Sequence, residues 1–174
     1  MTVAGMNILL GADSLAGQRS GVGRVTFEIA HALRGRDEIR DMRLVIGGRL
    51  AASAMLDWMP DGTAPDVVSA RRCGFRSMAA RVPALHALRQ QAVRRVMNRG
   101  AGGLSGNGLP VVYFEPNMIA KPFSGTTVAA VNDMSWHGGH SYHPAERIRW
   151  IERNLPSTLR QVLRFVAISA FTKG

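Results

Sequence analysis

The chain has 174 residues, 46% of them hydrophobic and 20% charged, with a formal net charge of +10. That length suits one domain with a single core, and the composition is globular rather than disordered. No apolar run reaches membrane-spanning length, and a lone cysteine, Cys73, excludes an internal disulfide framework and fits a reducing, cytoplasmic setting.

The N-terminus, MTVAGMNILLGAD, lacks the basic flank and small-residue cleavage site of a secretory signal. Its apolar run reads as a buried first strand ending at Gly11. The Gly-rich turn SLAGQRSGVGR follows. Val22, Val25, Ile29, Ala32 and Leu33 then recur at helical spacing. MRLVIGG reads as a second strand. Residues 50–65 suggest a short helix or turn around Trp58, broken by Pro60, Gly62 and Pro65, and DVVSA suggests a weak third strand.

From Arg76 to Arg99 the pattern is helical, with Leu85, Leu88, Ala92 and Val96 as its apolar stripe and Pro83 in a first turn. This stretch concentrates the charge. No acidic residue lies between Asp66 and Glu115, whereas eight arginines do: Arg71, Arg72, Arg76, Arg81, Arg89, Arg94, Arg95 and Arg99. Such a segment fits a polyanionic partner (an anionic membrane surface, nucleic acid or a phosphorylated substrate) or else a solvated arginine-rich surface. Nucleic acid is the weaker alternative, because Phe75 is the one aromatic between Arg71 and Arg99 and no helix-turn-helix or zinc-finger spacing is present.

NRGAGGLSGNGLP reads as a Gly-rich loop. PVVYFEPN and TTVAAVND read as strands buried on both faces. Ile148, Ile151, Leu155, Leu159 and Val162 mark a helix that Pro156 should kink or split. RFVAIS is the last strand, and AFTKG opens a further helix, so the chain reads as a piece of something longer. Short apolar strands alternating with helices predict a Rossmann-like, doubly wound parallel α/β sheet.

Three stretches carry candidate chemistry. In SGVGR, Gly21 and Gly23 would let the backbone approach a ligand, and Arg24 would add positive charge at a helix N-terminus. The G-x-G-x-x-G fingerprint is incomplete and no acidic residue ends the second strand, so a dinucleotide is disfavoured and a tight βα turn stays open. Asp133 and Glu115 each fall at the carboxyl end of a predicted strand, where open α/β sheets bind ligands. Asp133 could orient a sugar hydroxyl or accept its proton, or it could cap its own turn. His137, His140 and His143 have a spacing that could hold zinc. They flank Gly138 and Gly139 in what reads as a loop instead of standing on regular elements, so no metal is assigned.

GVGR, YFEPN, KPFSGTTVAAVNDMSW, YHPAERIRWIERNLPSTLR and FVAISAFTK occur in that order. Together they resemble the N-terminal domain of a family-four retaining glycosyltransferase with two Rossmann-like domains (the type B fold), nearest to bacterial mannosyltransferase-like enzymes of surface-polysaccharide assembly. The resemblance spans nearly the whole chain, with residues 50–105 least diagnostic. It implies that residues 1–174 form an acceptor-side domain. A donor-binding domain would follow, without which the chain should show no appreciable transfer. It also implies a nucleotide-sugar donor, a glycan or lipid-linked acceptor, no metal or other cofactor, and a cytoplasmic place at the inner membrane face. Asp133 and Asn132 would stand at the reacting sugar, Asn132 where many relatives have His. Gly21, Gly23, Arg24, Glu115, Asn117, Trp136 and His137 would contact substrate.

Overall fold

A computed structural model describes residues 5–16, 20–58, 83–137, 143–169 and 172. Among the described residues, six strands form one sheet: β1 (Met6–Gly11), β2 (Ile39–Ile46), β3 (Arg49–Ala52), β4 (Val111–Glu115), β5 (Thr126–Val131) and β6 (Arg164–Ala167). Their order is β3-β2-β1-β4-β5-β6, parallel throughout except for β3, which runs antiparallel to β2. Among the described residues, three α-helices accompany them: α1 (Gly21–Arg34), α2 (Pro83–Leu104) and α3 (Ala145–Gln161). The fold is an α/β, Rossmann-like sheet, as the alternation of strand and helix predicts. The suggested strand DVVSA and Cys73 lie outside the described residues.

β1 is the hub. It pairs with β2 on one side and β4 on the other, so its side chains are buried on both faces. Ile8 and Leu10 face a core shared with Leu15, Ala30, Met42 and Leu44, on the side of α1. Leu9 faces a second core with Val45, Met97, Leu104, Tyr113 and Phe123, on the side of α2. Thr127 is the register partner of Tyr113 and accepts a hydrogen bond from Gln161 of α3, so α3 shares the face of α2. The chain winds outward from β1 to β2 and β3, then crosses back through α2 to β4. The sheet therefore reverses its winding between β1 and β4, the place where such folds open a crevice.

Several details depart from the sequence reading. β3 was not foreseen. It forms because Gly47 and Gly48, at φ 61° and 79°, make the two-residue turn that reverses the strand. The helix predicted through Arg99 continues to Leu104, so the supposed Gly-rich loop is largely helical. The stripe of α2 is also displaced. Leu85 and Leu88 are exposed, the buried positions are Met97 and Leu104, and Val93 is partly buried against them, with Gly100 close against Leu50. Glycines cause the shift. Gly48 and Gly100 bring α2 close to the β2–β3 hairpin, and that contact selects the face. In α1 the buried face is Gly23, Thr26 and Ala30, while Val25 is exposed. α3 runs through Pro156 without a break. It buries Asn154 and Thr158 beside Ile151, because Asn154 bonds the Trp150 carbonyl and Thr158 accepts from the Ala120 N–H. Among the described residues, no helix is long and apolar enough to cross a membrane.

Candidate functional site

The parallel strands β1, β4 and β5 deliver their carboxyl ends to one edge of the sheet. At the reversal between β1 and β4 lies a cavity of about 480 Å³. Its lining includes Asp13 after β1, the Gly47–Gly48 turn, Glu115 at the end of β4, and Asn117 and Lys121 in the loop to β5. α2 adds His86, Arg89 and Gln90, and α3 adds Trp150, Arg153 and Asn154.

Glu115 is the innermost polar group. It is buried, and it lies over Gly11, where any Cβ would overlap its carboxylate. The Tyr113 hydroxyl donates to Glu115 Oε2 at 2.5 Å, and the Asn117 N–H donates to Oε1 at 3.2 Å. Lys121 Nζ stands 3.8 Å from Glu115 Oε2 and 3.0 Å from Asp13 Oδ2, bridging the two carboxylates. Asp13 Oδ1 accepts from the Gly47 N–H at 2.6 Å, which ties the hairpin turn to the site. Burial pushes the Glu115 carboxyl above the usual carboxylate range, against the pull of Lys121 and the Tyr113 hydroxyl. Burial, the Glu115 charge and the hydrogen bond to it push the Tyr113 phenol well above its ordinary value, so it acts as a donor. The arrangement sets a carboxyl with a raised pKa at the inner wall of the cavity, with Lys121 between it and Asp13.

Of the residues proposed from sequence, Glu115 and Asn117 line this cavity. Gly21, Gly23, Arg24, Asn132, Asp133, Trp136 and His137 lie outside its lining. Gly21–Gly23 is not a βα turn but the first turn of α1, which starts at the same sheet edge as the loop after β5. Gly21 is exposed, with nothing within 4 Å of a Cβ built on it, and Arg24 is exposed. Gly23 has a packing role: a Cβ there would come within 2.8 Å of the Ser14 carbonyl oxygen. Ser20 caps α1 by accepting from the Gly23 N–H at 3.0 Å.

The Asp133 carboxylate accepts from both the N–H and the hydroxyl of Ser135, at 3.1 and 2.7 Å, closing an Asx turn. The Ser135 hydroxyl bond is the main influence holding Asp133 below the usual carboxylate range. The same hydroxyl lies 2.8 Å from His143 Nε2. Asn132 Nδ2 donates to the Pro116 carbonyl, joining the ends of β5 and β4. Asn132 Oδ1 and Trp136 Nε1 are buried without a hydrogen-bond partner among the described residues. His137 is exposed against the Trp136 ring, and His140 lies outside the described residues.

No family model, curated protein or solved structure matches the chain.

Sequence reasoning missed Asp13, Tyr113, Lys121, Trp150 and Asn154. Asp13 carried the same signal as Asp133, an acid just past an apolar strand. Lys121 is one of only two lysines in the chain. Trp150 and Asn154 stand four residues apart on α3, and that spacing becomes a site only once α3 is known to share the face of α2.

Proposed function

We propose that the chain is the acceptor-side domain of a retaining glycosyltransferase, with the acceptor sugar held in the cavity between β1 and β4. The observation that carries this reading is the composition of that cavity. Two carboxylates bridged by a lysine line it together with two asparagines and an indole. Sugar hydroxyls each donate and accept. Asp13 and Glu115 accept such donors, Lys121 donates, and Asn117 and Asn154 do both. Trp150 is half exposed although it lines the cavity, and its ring offers an apolar plate for the C–H face of a pyranose. The resemblance of the ordered motifs to family-four enzymes points to transfer from a nucleotide sugar, with mannose as the suggested sugar. A carboxyl held above its ordinary range, beside the place where a hydroxyl would rest, suits a group that accepts that hydroxyl's proton.

Saturation-transfer NMR on the purified chain with a panel of hexoses and hexosides tests the reading. At least one is expected to bind in the millimolar range or tighter. Trp150→Ala should weaken it by about tenfold through loss of the stacking plate. Absence of sugar binding by a folded chain would sink the assignment.

A further inference from the structure

The charges lining the cavity are unevenly compensated. On the strand side, Asp13 and Glu115 already share Lys121, and Asp13 also accepts from Gly47. On the helix side, α2 presents Arg89, flanked by His86 and Gln90, whose side-chain nitrogens approach to 3.3 Å. No acidic residue occurs between Asp66 and Glu115, so α2 holds no carboxylate of its own to neutralise Arg89. Among the described residues, no carboxylate from another element forms an ion pair with it. Arg94, on the same helix, differs: its Nε donates to the Ser124 hydroxyl at 3.0 Å. Arg153 of α3 adds a second cation to the lining and is already engaged in a contact of its own.

A guanidinium that lines a cavity without a counter-ion is matched by an oxyanion of the ligand, and Arg with phosphate is the strong, geometrically fitted case. Repulsion from the carboxylates then fixes the orientation. A phosphate is disfavoured beside Asp13 and Glu115 and favoured at the α2 wall, whereas hydroxyls suit the carboxylate end. We infer that the cavity takes a phosphorylated sugar, its hydroxyls toward Asp13, Glu115 and Asn117 and its phosphate on Arg89. The inference rests on the sugar-binding reading and narrows its ligand. The phosphate can come from a free sugar phosphate or from a lipid-linked sugar.

Calorimetric titration of the full chain with mannose, mannose 6-phosphate and inorganic phosphate tests it. The phosphate ester should bind at least about tenfold tighter than mannose, the gain expected of a hydrogen bond to a charged group, and salt should weaken that gain. Arg89→Gln, at an exposed position, should bring the ester to within about twofold of mannose measured on the same variant. Equal affinity for ester and mannose, or an ester affinity untouched by Arg89→Gln, overturns the phosphate subsite and leaves the sugar site standing. No binding of mannose or ester overturns both. Competition with vesicles separates the sources. Displacement of the ester by vesicles containing phosphatidic acid, but not by pure phosphatidylcholine, assigns the phosphate to a lipid-linked sugar. No displacement by either assigns it to a free one.

Discussion

Glu115 carries a carboxyl group to a position with 5% exposure, and three neighbours keep it there: the Tyr113 hydroxyl, the Asn117 N–H and Lys121. Burial still dominates, so its folded-state pKa is raised. A carboxyl raised in this way adds stability that is fully present below the unfolded pKa and is lost as pH rises through the folded one. Asp13, Lys121 and Tyr113 are the titratable groups around it, and Glu115→Gln removes only the titration of Glu115. Urea unfolding should therefore show the variant gaining on the parent as pH rises from the ordinary glutamate range through the raised value. A constant difference across that window would mean that Glu115 does not titrate there. Asp133 has the opposite sign. Its lowered pKa contributes stability above the unfolded value that is lost as pH falls through the folded one, so the two residues bend the acid limb in opposite directions. At this scale the sequence was half legible. Strand-end position singled out Glu115 and the family resemblance singled out Asn117, and both line the cavity. It could not tell an aspartate turned into a cavity from one closing its own turn, since Asp13 and Asp133 both follow apolar runs.

The helices show why periodicity finds an element more readily than its buried face. α2 has aliphatic residues on more than one side, and either stripe satisfies a spacing of three and four. Close approach of backbones decides between them, and glycine controls that approach. Gly48 combines φ +79° with a virtual Cβ 2.9 Å from Val93 Cγ2, so Gly48→Ala faces both a strained backbone and a clash with α2. It should cost roughly 1–3 kcal/mol in urea unfolding. Gly102 lies in the same helix with nothing within 4 Å of its virtual Cβ. Gly102→Ala should add up to about 1 kcal/mol by helix propensity alone. If Gly48→Ala proved neutral, the hairpin would not set the position of α2. The polar residues buried in α3 follow the same logic. Asn154 and Thr158 are tolerated inside because each meets backbone groups nearby, which no hydropathy pattern reports.

At the scale of the molecule, the parallel α/β sheet was legible, because short apolar strands separated by helical spacing admit few other folds. The reversal between β1 and β4 then places the cavity with no further information from sequence. The β6 edge shows what topology leaves open. Leu163, Phe165, Val166 and Ile168 are all exposed, and β6 pairs with β5 alone among the described strands. An edge strand with free N–H and C=O groups and apolar side chains is a template for pairing with another copy. Arg164 is its one charge, and Phe165, Val166 and Ala167 run uninterrupted after it. The chain as given should therefore self-associate as its concentration rises, despite a net charge of +10 that favours separation. Val166 projects from the sheet face opposite Phe165, and its register partner is Ala130, so Val166→Lys puts a charge on the edge without entering the cavity. Light scattering over a concentration series should show that variant staying monomeric where the parent does not. Thermal unfolding should be unchanged within about 0.5 kcal/mol, as for an exposed position. Equal association of the two chains would place the contact elsewhere, with exposed Leu88 on α2 the next surface to substitute.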